Sequence, residues 1–401
     1  MRFGNPWLSV IATAVAFAKL PASYAWGAAG HEIVATIAQI YLHPSTLNNV
    51  CEILEPGSTS SGAFPPCHLA KVASWADKIK RDPQYRYTAS LHYVGALGDH
   101  PSEVCMFPGP RGWAGRRDAN VLGAVRNMTN ILVDYTDGLY DVAGAEEALK
   151  FLVHYVGDMH MPLHLTGRDR GGNGDKVLFD GRVTNLHSLW DSLLIAQALR
   201  TVPNNYTRHF PAGTTTVDVE SHLRGAIYDP YVRRALYEGM GIGGVPGRFE
   251  EDSETWLSCP TPQAQPDSLM DKLQTVIELR TAGDEERWDD DVLCPFAWAK
   301  AMHRLNCDLV WPPELDDPRY NSLQSIEETS VKNFFSAPRP RPHPDLLELD
   351  TPRYAGRIRK EWVVERLMIM AGVRLAGILN GLFMDVDALV DGCTDLPLIF
   401  V

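Results

Sequence analysis

A mainly helical chain with at most one small β-hairpin is what this sequence predicts, on three observations. Apolar residues recur at three- and four-residue steps in five separate segments. Alternating apolar–polar stretches are few. Two Gly/Pro-rich stretches interrupt the helical pattern, and neither has the look of a separate domain with its own core. The composition agrees: of 401 residues 45% are hydrophobic and 22% charged, enough apolar material to exclude a disordered chain. Length alone allows one large or two ordinary domains.

The elements follow in chain order. Arg2 precedes an apolar run from Trp7 to Ala18, too short to span a bilayer. Pro21 and Ser23-Tyr24-Ala25 follow, with small residues where signal peptidase prefers them. Residues 1–25 are therefore expected to be a signal peptide and Trp26 the mature N-terminus of a secreted, extracellular protein. No later stretch is expected to cross a membrane, and no membrane partner is expected. Ile33, Val34, Ile37 and Tyr41 mark a first helix, and Val121 to Tyr135 a second. Leu149 to Val156 mark a third and Leu186 to Leu194 a fourth, while a last long helix is expected from about Arg357 to Phe383. Lys176 to Thr184, turning at Asp180-Gly181, is the candidate hairpin. The stretches near 208–290 and 312–355 are expected to be long surface insertions in a single domain, 26–401.

Acidic residues exceed basic ones, 50 to 37, for a net charge of −13. That balance argues against a sequence-independent grip on duplex DNA, which needs clustered Lys and Arg. It leaves open a nucleic acid held through metal ions. Secretion favours disulfides among the seven cysteines, whose connectivity the spacing does not fix. The sequons at Asn127 and Asn205 are candidate N-glycan sites.

Histidines and aspartates then recur in suggestive company. His154-Tyr-Val-Gly-Asp158 sets an imidazole and a carboxylate one turn apart on one helix face, and His187-Ser-Leu-Trp-Asp191 repeats the spacing. His164 follows a proline between them. Upstream lie Asp77, His92, and His31 five residues after Trp26. A lone His-x-x-x-Asp pair is most often a surface pair. Two on apolar helices are harder to dismiss, because apolar faces rarely tolerate unpaired ionisable groups. Imidazole and carboxylate without thiolate suit zinc in a hydrolytic site.

Taken in order, Trp26-Gly-Ala-Ala-Gly-His31, Trp75-Ala-Asp77, Leu91-His92-Tyr93, His154-x-x-x-Asp158-x5-His164, Gly171-Gly-Asn173 and Asn185-Leu-His187-x-x-x-Asp191 resemble the zinc-dependent, single-strand-specific nuclease and 3′-nucleotidase family of fungi and plants, the S-one/P-one nucleases. Ala371-Gly-Val-Arg374 to Asn380 is similar to the family's last helix. The resemblance covers nearly all of the mature chain except the insertions. It implies a multi-helix fold shared with bacterial zinc phospholipases C, with three Zn2+ in one cleft. Trp26, through its α-amine and carbonyl, and His31 would hold one zinc. Asp77, His92 and His154 would hold a second, with Asp158 bridging the two, and His164, His187 and Asp191 a third.

The implied activity is endonucleolytic hydrolysis of single-stranded RNA and DNA to 5′-phosphorylated products, with 3′-nucleotidase activity and a metal-bound hydroxide as nucleophile. Single-stranded nucleic acid and 3′-nucleotides are the implied substrates, and a monomer is expected. Asp77 and Lys80 are the implied catalytic residues, Lys80 acting against the scissile phosphate. Tyr93 would stack on a base, and Asn173 would contact a base or backbone. Two departures bear on base preference: Gly95 stands where fungal members carry a base-binding Asp, and Arg170 where an apolar residue lines the base pocket. The resemblance also implies Cys105–Cys307; Cys51–Cys67 fits because the two bracket a short loop, and of the three cysteines that remain Cys259–Cys294 is the pair expected, leaving Cys393 free. His160 is expected to be exposed or behind the ligands. Two alternatives compete: a phospholipase C-type phosphodiesterase sharing the metal cage, against which Asp158 and Lys80 argue, and a non-catalytic secreted zinc-binding glycoprotein.

Overall fold

The computed structural model describes residues 26–58, 65–109, 111–116, 119–259, 288–318, 320 and 346–385. The expected signal peptide, Cys393 and the remaining parts of the two insertions lie outside these residues.

Five helices build the frame of the site. α1 (Ala28–Ile40) is buried along nearly its whole length. α2 (Pro44–Leu54) begins with proline in its first turn and with His43 accepting the Ser45 amide, a start that leaves no orphan donor to proline's missing N–H. α3 (Trp75–Ile79) is a short turn that presents Asp77 inward. α4 (Val121–Thr136) and α5 (Val142–Met159) form an antiparallel pair. Asn120 caps α4 through the Leu122 and Gly123 amides, and Asp141 caps α5 through Gly144. From Phe151 to Met159 every residue of α5 is buried. A helix apolar all round belongs in a core, and this one carries His154 and Asp158 there with it. It ends at His160, just ahead of Pro162, in keeping with proline's inability to continue a helix.

The expected hairpin forms, Lys176–Phe179 pairing antiparallel with Arg182–Asn185. Asp180 and Gly181 both have positive φ, 54° and 69°, as a two-residue turn matched to strand twist requires. Among the described residues this is the only sheet.

The final helix differs from expectation in one place. Ala355–Glu361 stops, Trp362 turns left-handed at φ 58°, and a second helix runs from Val363 to Phe383. The Trp362 ring lies under the guanidinium groups of Arg234 and Arg248, centroid distances 4.6 and 5.3 Å, contacts that compensate an uncommon backbone state. The helix Val363–Phe383 also corrects the expectation that no later stretch suits a membrane. It is 21 residues long and apolar enough to cross one, but 83% of its apolar window is buried inside the protein. It packs on α1, where a Cβ at Gly372 would come within 2.6 Å of Ile37. Length and composition do not distinguish a span from a central core helix; burial does.

The described parts of the two insertions are anchored rather than superficial. Tyr228, Tyr231, Val232, Leu236, Phe249 and Trp256 join the hydrophobic core, and Arg233 grips both Glu220 oxygens at 2.8 Å. Residues 347–349 lie alongside the hairpin, with Leu178 and Leu349 amides donating to Leu347 and Leu178 carbonyls. Disulfides Cys51–Cys67, Cys105–Cys307 and Cys259–Cys294 close the expected pairs. Asn127 and Asn205 are both exposed.

His68 shows how burial sets a stability term. It is 5% exposed, its Nε2–H donates to the His222 carbonyl and its Nδ1 accepts the Ala70 amide. Both nitrogens are committed in the neutral ring, and burial lowers the pKa to about 4. Because the folded value lies below the unfolded one near 6.5, this contribution is complete above pH 6.5 and is lost as pH falls towards 4. Denaturant unfolding across that window should show a slope from His68 of up to ~1.4 kcal/mol per pH unit. His68→Asn should flatten the profile by that amount, and an unchanged profile would contradict the assignment.

Candidate metal centre

The centre is built around one carboxylate. Asp158, on the buried end of α5, has no exposed surface. Its Oδ2 lies 2.8 Å from His92 Nδ1 and 3.3 Å from His154 Nε2, and its Oδ1 lies 3.2 Å from His31 Nε2 and 3.8 Å from His164 Nδ1. His154 reaches it from one turn earlier on the same helix, as the i, i+4 spacing dictates. Asp77 closes the other side, its Oδ1 3.8 Å from His92 Nδ1 and 3.7 Å from His154 Nε2. The His31 ring stacks on His154, centroids 3.8 Å apart. Gly157 allows that approach, since a Cβ there would meet His31 Nδ1 at 2.7 Å.

A second group lies beside the first. His187 and Asp191 are again one turn apart, Nε2 to Oδ2 3.2 Å, on a segment that widens into a π-helical turn over Leu189–Leu193, a distortion frequent at functional sites. The His164 ring stacks against His187 with centroids 5.0 Å apart. His164, His187 and Asp191 converge closely enough to share one ion, as do His31, Asp77 and His154, and His92, His154 and Asp158. Trp26 is fully buried, and the next residue's amide donates to the Asp191 carbonyl at 2.7 Å, so the expected mature N-terminus runs against the second group.

Three imidazoles are oriented from behind by backbone. His154 Nδ1 donates to the Ala73 carbonyl at 2.7 Å, His164 Nδ1 to the His92 carbonyl at 2.6 Å, and His187 Nδ1 to the Gly171 carbonyl at 2.7 Å. Each bond fixes the tautomer and turns Nε2 inward, the usual support of a metal-ligating histidine. These acceptors are peptide oxygens, so no side-chain motif announces them.

The electrostatics favour a bound cation. Burial, then His154 and Lys80, hold His92 well below the ordinary imidazole range. Burial, then His187, does the same to His164, and burial lowers His154 although Asp158 opposes it. Each shift favours the neutral ring, the form in which an imidazole can coordinate a metal. Burial would also lower His187, but the adjacent Asp191 carboxylate raises it on balance. Burial pushes Asp158 well above the carboxylate range, the cost of an anion with too little positive charge around it. His92 Nε2, His164 Nε2 and Asp158 Oδ1 are buried and make no hydrogen bond. Orphaned nitrogen and oxygen donors in one dry cluster, with no thiolate, fit metal ions of the zinc type.

The remaining expected residues sit at the rim. Lys80 Nζ donates to Asp77 Oδ1 at 2.6 Å, with 23% of its side chain exposed. Tyr93, next to His92, is 53% exposed. Asn173 is half-buried and turned back, its amide donating to the Arg170 carbonyl at 2.9 Å. Arg170 is exposed and left-handed at φ 58°. Gly95 packs against Gly167, whose Cα would lie 2.8 Å from a Cβ at 95, so an acidic side chain there would need the backbone to move. Of the two expectations for His160, exposure is overturned. His160 is wholly buried, between the Val156 carbonyl and Arg374 Nη1 at 2.7 and 2.8 Å. A fourth group, Asp99, Cys105 and His303, is committed elsewhere. Cys105 is in a disulfide, and Asp99 takes Thr166, His303 and the Met106 amide.

Comparison with known proteins places this geometry in context. A family model described as S1/P1 Nuclease matches residues 26–228. Nuclease S1 from Aspergillus oryzae is 38% identical over 193 residues, 48% of this chain and 61% of that protein. Nuclease P1 from Penicillium citrinum is 38% identical over 223 residues, 55% of this chain and 72% of that protein. Endonuclease 1 from Arabidopsis thaliana is 25% identical over 369 residues, 91% of this chain and 89% of that protein.

Gly171 offers a test of the backbone support. At φ 64° it holds its carbonyl on His187, and a Cβ there would come within 2.4 Å of the Leu163 oxygen. Gly171→Ala should weaken metal binding at the His164–His187–Asp191 group by about 10–100-fold, measured by competition with a chelating dye. Unchanged affinity would show that the carbonyl does not orient the ligand.

Proposed function

The chain belongs to the S1/P1 nuclease family, and on that premise we propose that it is a zinc-dependent phosphodiester hydrolase of single-stranded RNA and DNA, releasing 5′-phosphorylated products and acting also as a 3′-nucleotidase. The observation that carries the reading is Asp158, a fully buried carboxylate lying within 4 Å of four imidazoles. So many neutral donors around one anion make a cage for cations and serve no structural need that apolar packing would not meet better.

Trp26 and His31 would hold one zinc and Asp77, His92 and His154 a second, with Asp158 shared between them. His164, His187 and Asp191 would hold a third. When bound, zinc supplies Lewis acidity that makes hydroxide available from water near neutral pH and offsets phosphate charge. The chain's own residues do the rest. Asp158, wholly buried, would fix the spacing of the first group. Lys80 carries a positive charge from Asp77 towards solvent, where it would meet the scissile phosphate and stabilise charge developing on it. Tyr93, exposed beside His92, would stack a splayed base, and Asn173 would contact a base or the backbone. Base recognition through a carboxylate at position 95 is absent, so discrimination among bases should be weak. Secretion is part of the proposal, supported by the three disulfides.

Mass spectrometry of a short single-stranded RNA and DNA pair should show conversion to 5′-mononucleotides that a chelator abolishes. Intact oligonucleotides from a zinc-loaded protein would overturn the reading and make phosphatidylcholine the next substrate to try. Lys80→Ala should lower kcat by about 10²–10³ with zinc content unchanged, whereas Asp158→Asn should lose both zinc and activity. A Lys80→Ala protein of full activity would remove the lysine from the mechanism.

A further inference from the structure

Between the ligands Asp77 and His92 the chain departs from its own character. The whole protein is acidic, yet residues 78–93 hold Lys78, Lys80, Arg81 and Arg86 against the single acid Asp82. In the 3₁₀ helix Arg86–His92, Tyr87 and Ser90 share one edge at three residues per turn, and Tyr93 follows the helix in extended backbone. Tyr87 is 65% exposed and Tyr93 53%, while Thr88 on another edge is buried.

The neighbouring Tyr85 shows what a structural tyrosine looks like here. Its hydroxyl donates to Glu147 at 2.5 Å and its ring packs against Trp75 and Phe151. Tyr87 is engaged less: among the described residues its ring meets no other ring or cation and its hydroxyl makes no hydrogen bond, while burial and then the nearby Glu147 carboxylate raise its pKa. Lys78 and Arg86 are exposed and, among the described residues, make no ion pair. Five residues at ~2 Å rise already put Tyr87 about 10 Å from His92 along the helix, and Tyr93 lies one extended residue beyond. That is too far for both rings to sandwich one base, which needs roughly 7 Å at a stacking distance of ~3.4 Å. The two rings suit two different bases.

We propose that Lys78, Arg86 and Tyr87 form a second strand-binding subsite, which takes the nucleotides flanking the scissile phosphate, with Tyr87 stacking a base beyond the one at Tyr93. Exposed aromatic rings close in sequence to exposed cations are a surface that single strands bind without regard to sequence. The inference rests on the nuclease reading and adds length dependence to it. A 3′-mononucleotide has one base and cannot occupy both rings, whereas a 12-residue single strand can.

Steady-state kinetics of the zinc-loaded protein on those two substrates is the test. Tyr87→Ala should raise KM for the 12-mer at least fivefold and leave kcat and 3′-mononucleotide hydrolysis unchanged, with Tyr87→Phe restoring the parent KM. Arg86→Ala should lower the slope of log KM against log salt on the 12-mer by about 0.7. Equal losses on both substrates, or none on the 12-mer, would overturn the subsite while leaving the nuclease reading intact. If the parent protein hydrolyses neither substrate, the nuclease reading itself fails and the subsite falls with it.

Discussion

An ionised carboxylate without solvent is the constraint on which the rest of this structure depends. Asp158 is completely buried near the end of a helix whose other residues there are apolar apart from His154, and burial alone would drive it to protonate. Four imidazoles approach it from four places in the chain: α1, the 3₁₀ turn before Tyr93, α5 itself and the turn after Pro162. Neutral rings held below their ordinary pKa cannot repay that charge. Metal cations can, and they would turn a liability of folding into the site's principal source of positive charge.

That one requirement explains several separate features. The end of α5 must be apolar all round because it runs through the core. α1 must come close enough for His31 to stack on His154, which calls for glycine at 157. Backbone carbonyls at Ala73, His92 and Gly171 must face ring nitrogens, which fixes the loops that carry them. The disulfide Cys105–Cys307 ties one such loop region to the segment following the helix Pro295–Leu305, and Asn306 beyond that helix donates to the Pro162 carbonyl beside His164.

Much of this was legible in the residues. The i, i+4 pairs His154/Asp158 and His187/Asp191 specify their own geometry, because a helix leaves them nowhere else to point. The hairpin followed from alternation and Asp180-Gly181, and the helices from their apolar steps. Long-range convergence was a different matter: that His31 and Asp77 meet α5 depended on the resemblance. What escaped has physical reasons. Backbone acceptors carry no side-chain signature. Trp362 breaks the last helix through tertiary contacts with Arg234 and Arg248, which local propensity does not contain. Whether His160, off the ligand face, is exposed or buried depends on Arg374 some two hundred residues away. The insertions were expected on the surface from Gly and Pro content, whereas the apolar residues scattered through them, Tyr228 to Trp256, decide that the described parts pack inward.

The central claim is that the buried His/Asp cluster is a multi-ion centre and not a polar core. Native mass spectrometry of the processed protein, purified without added metal or chelator, tests it most directly. The expected result is a folded chain heavier than its sequence by three zinc ions, lost together with compact charge states on acidification. A folded, metal-free chain that takes up no zinc on titration would contradict it.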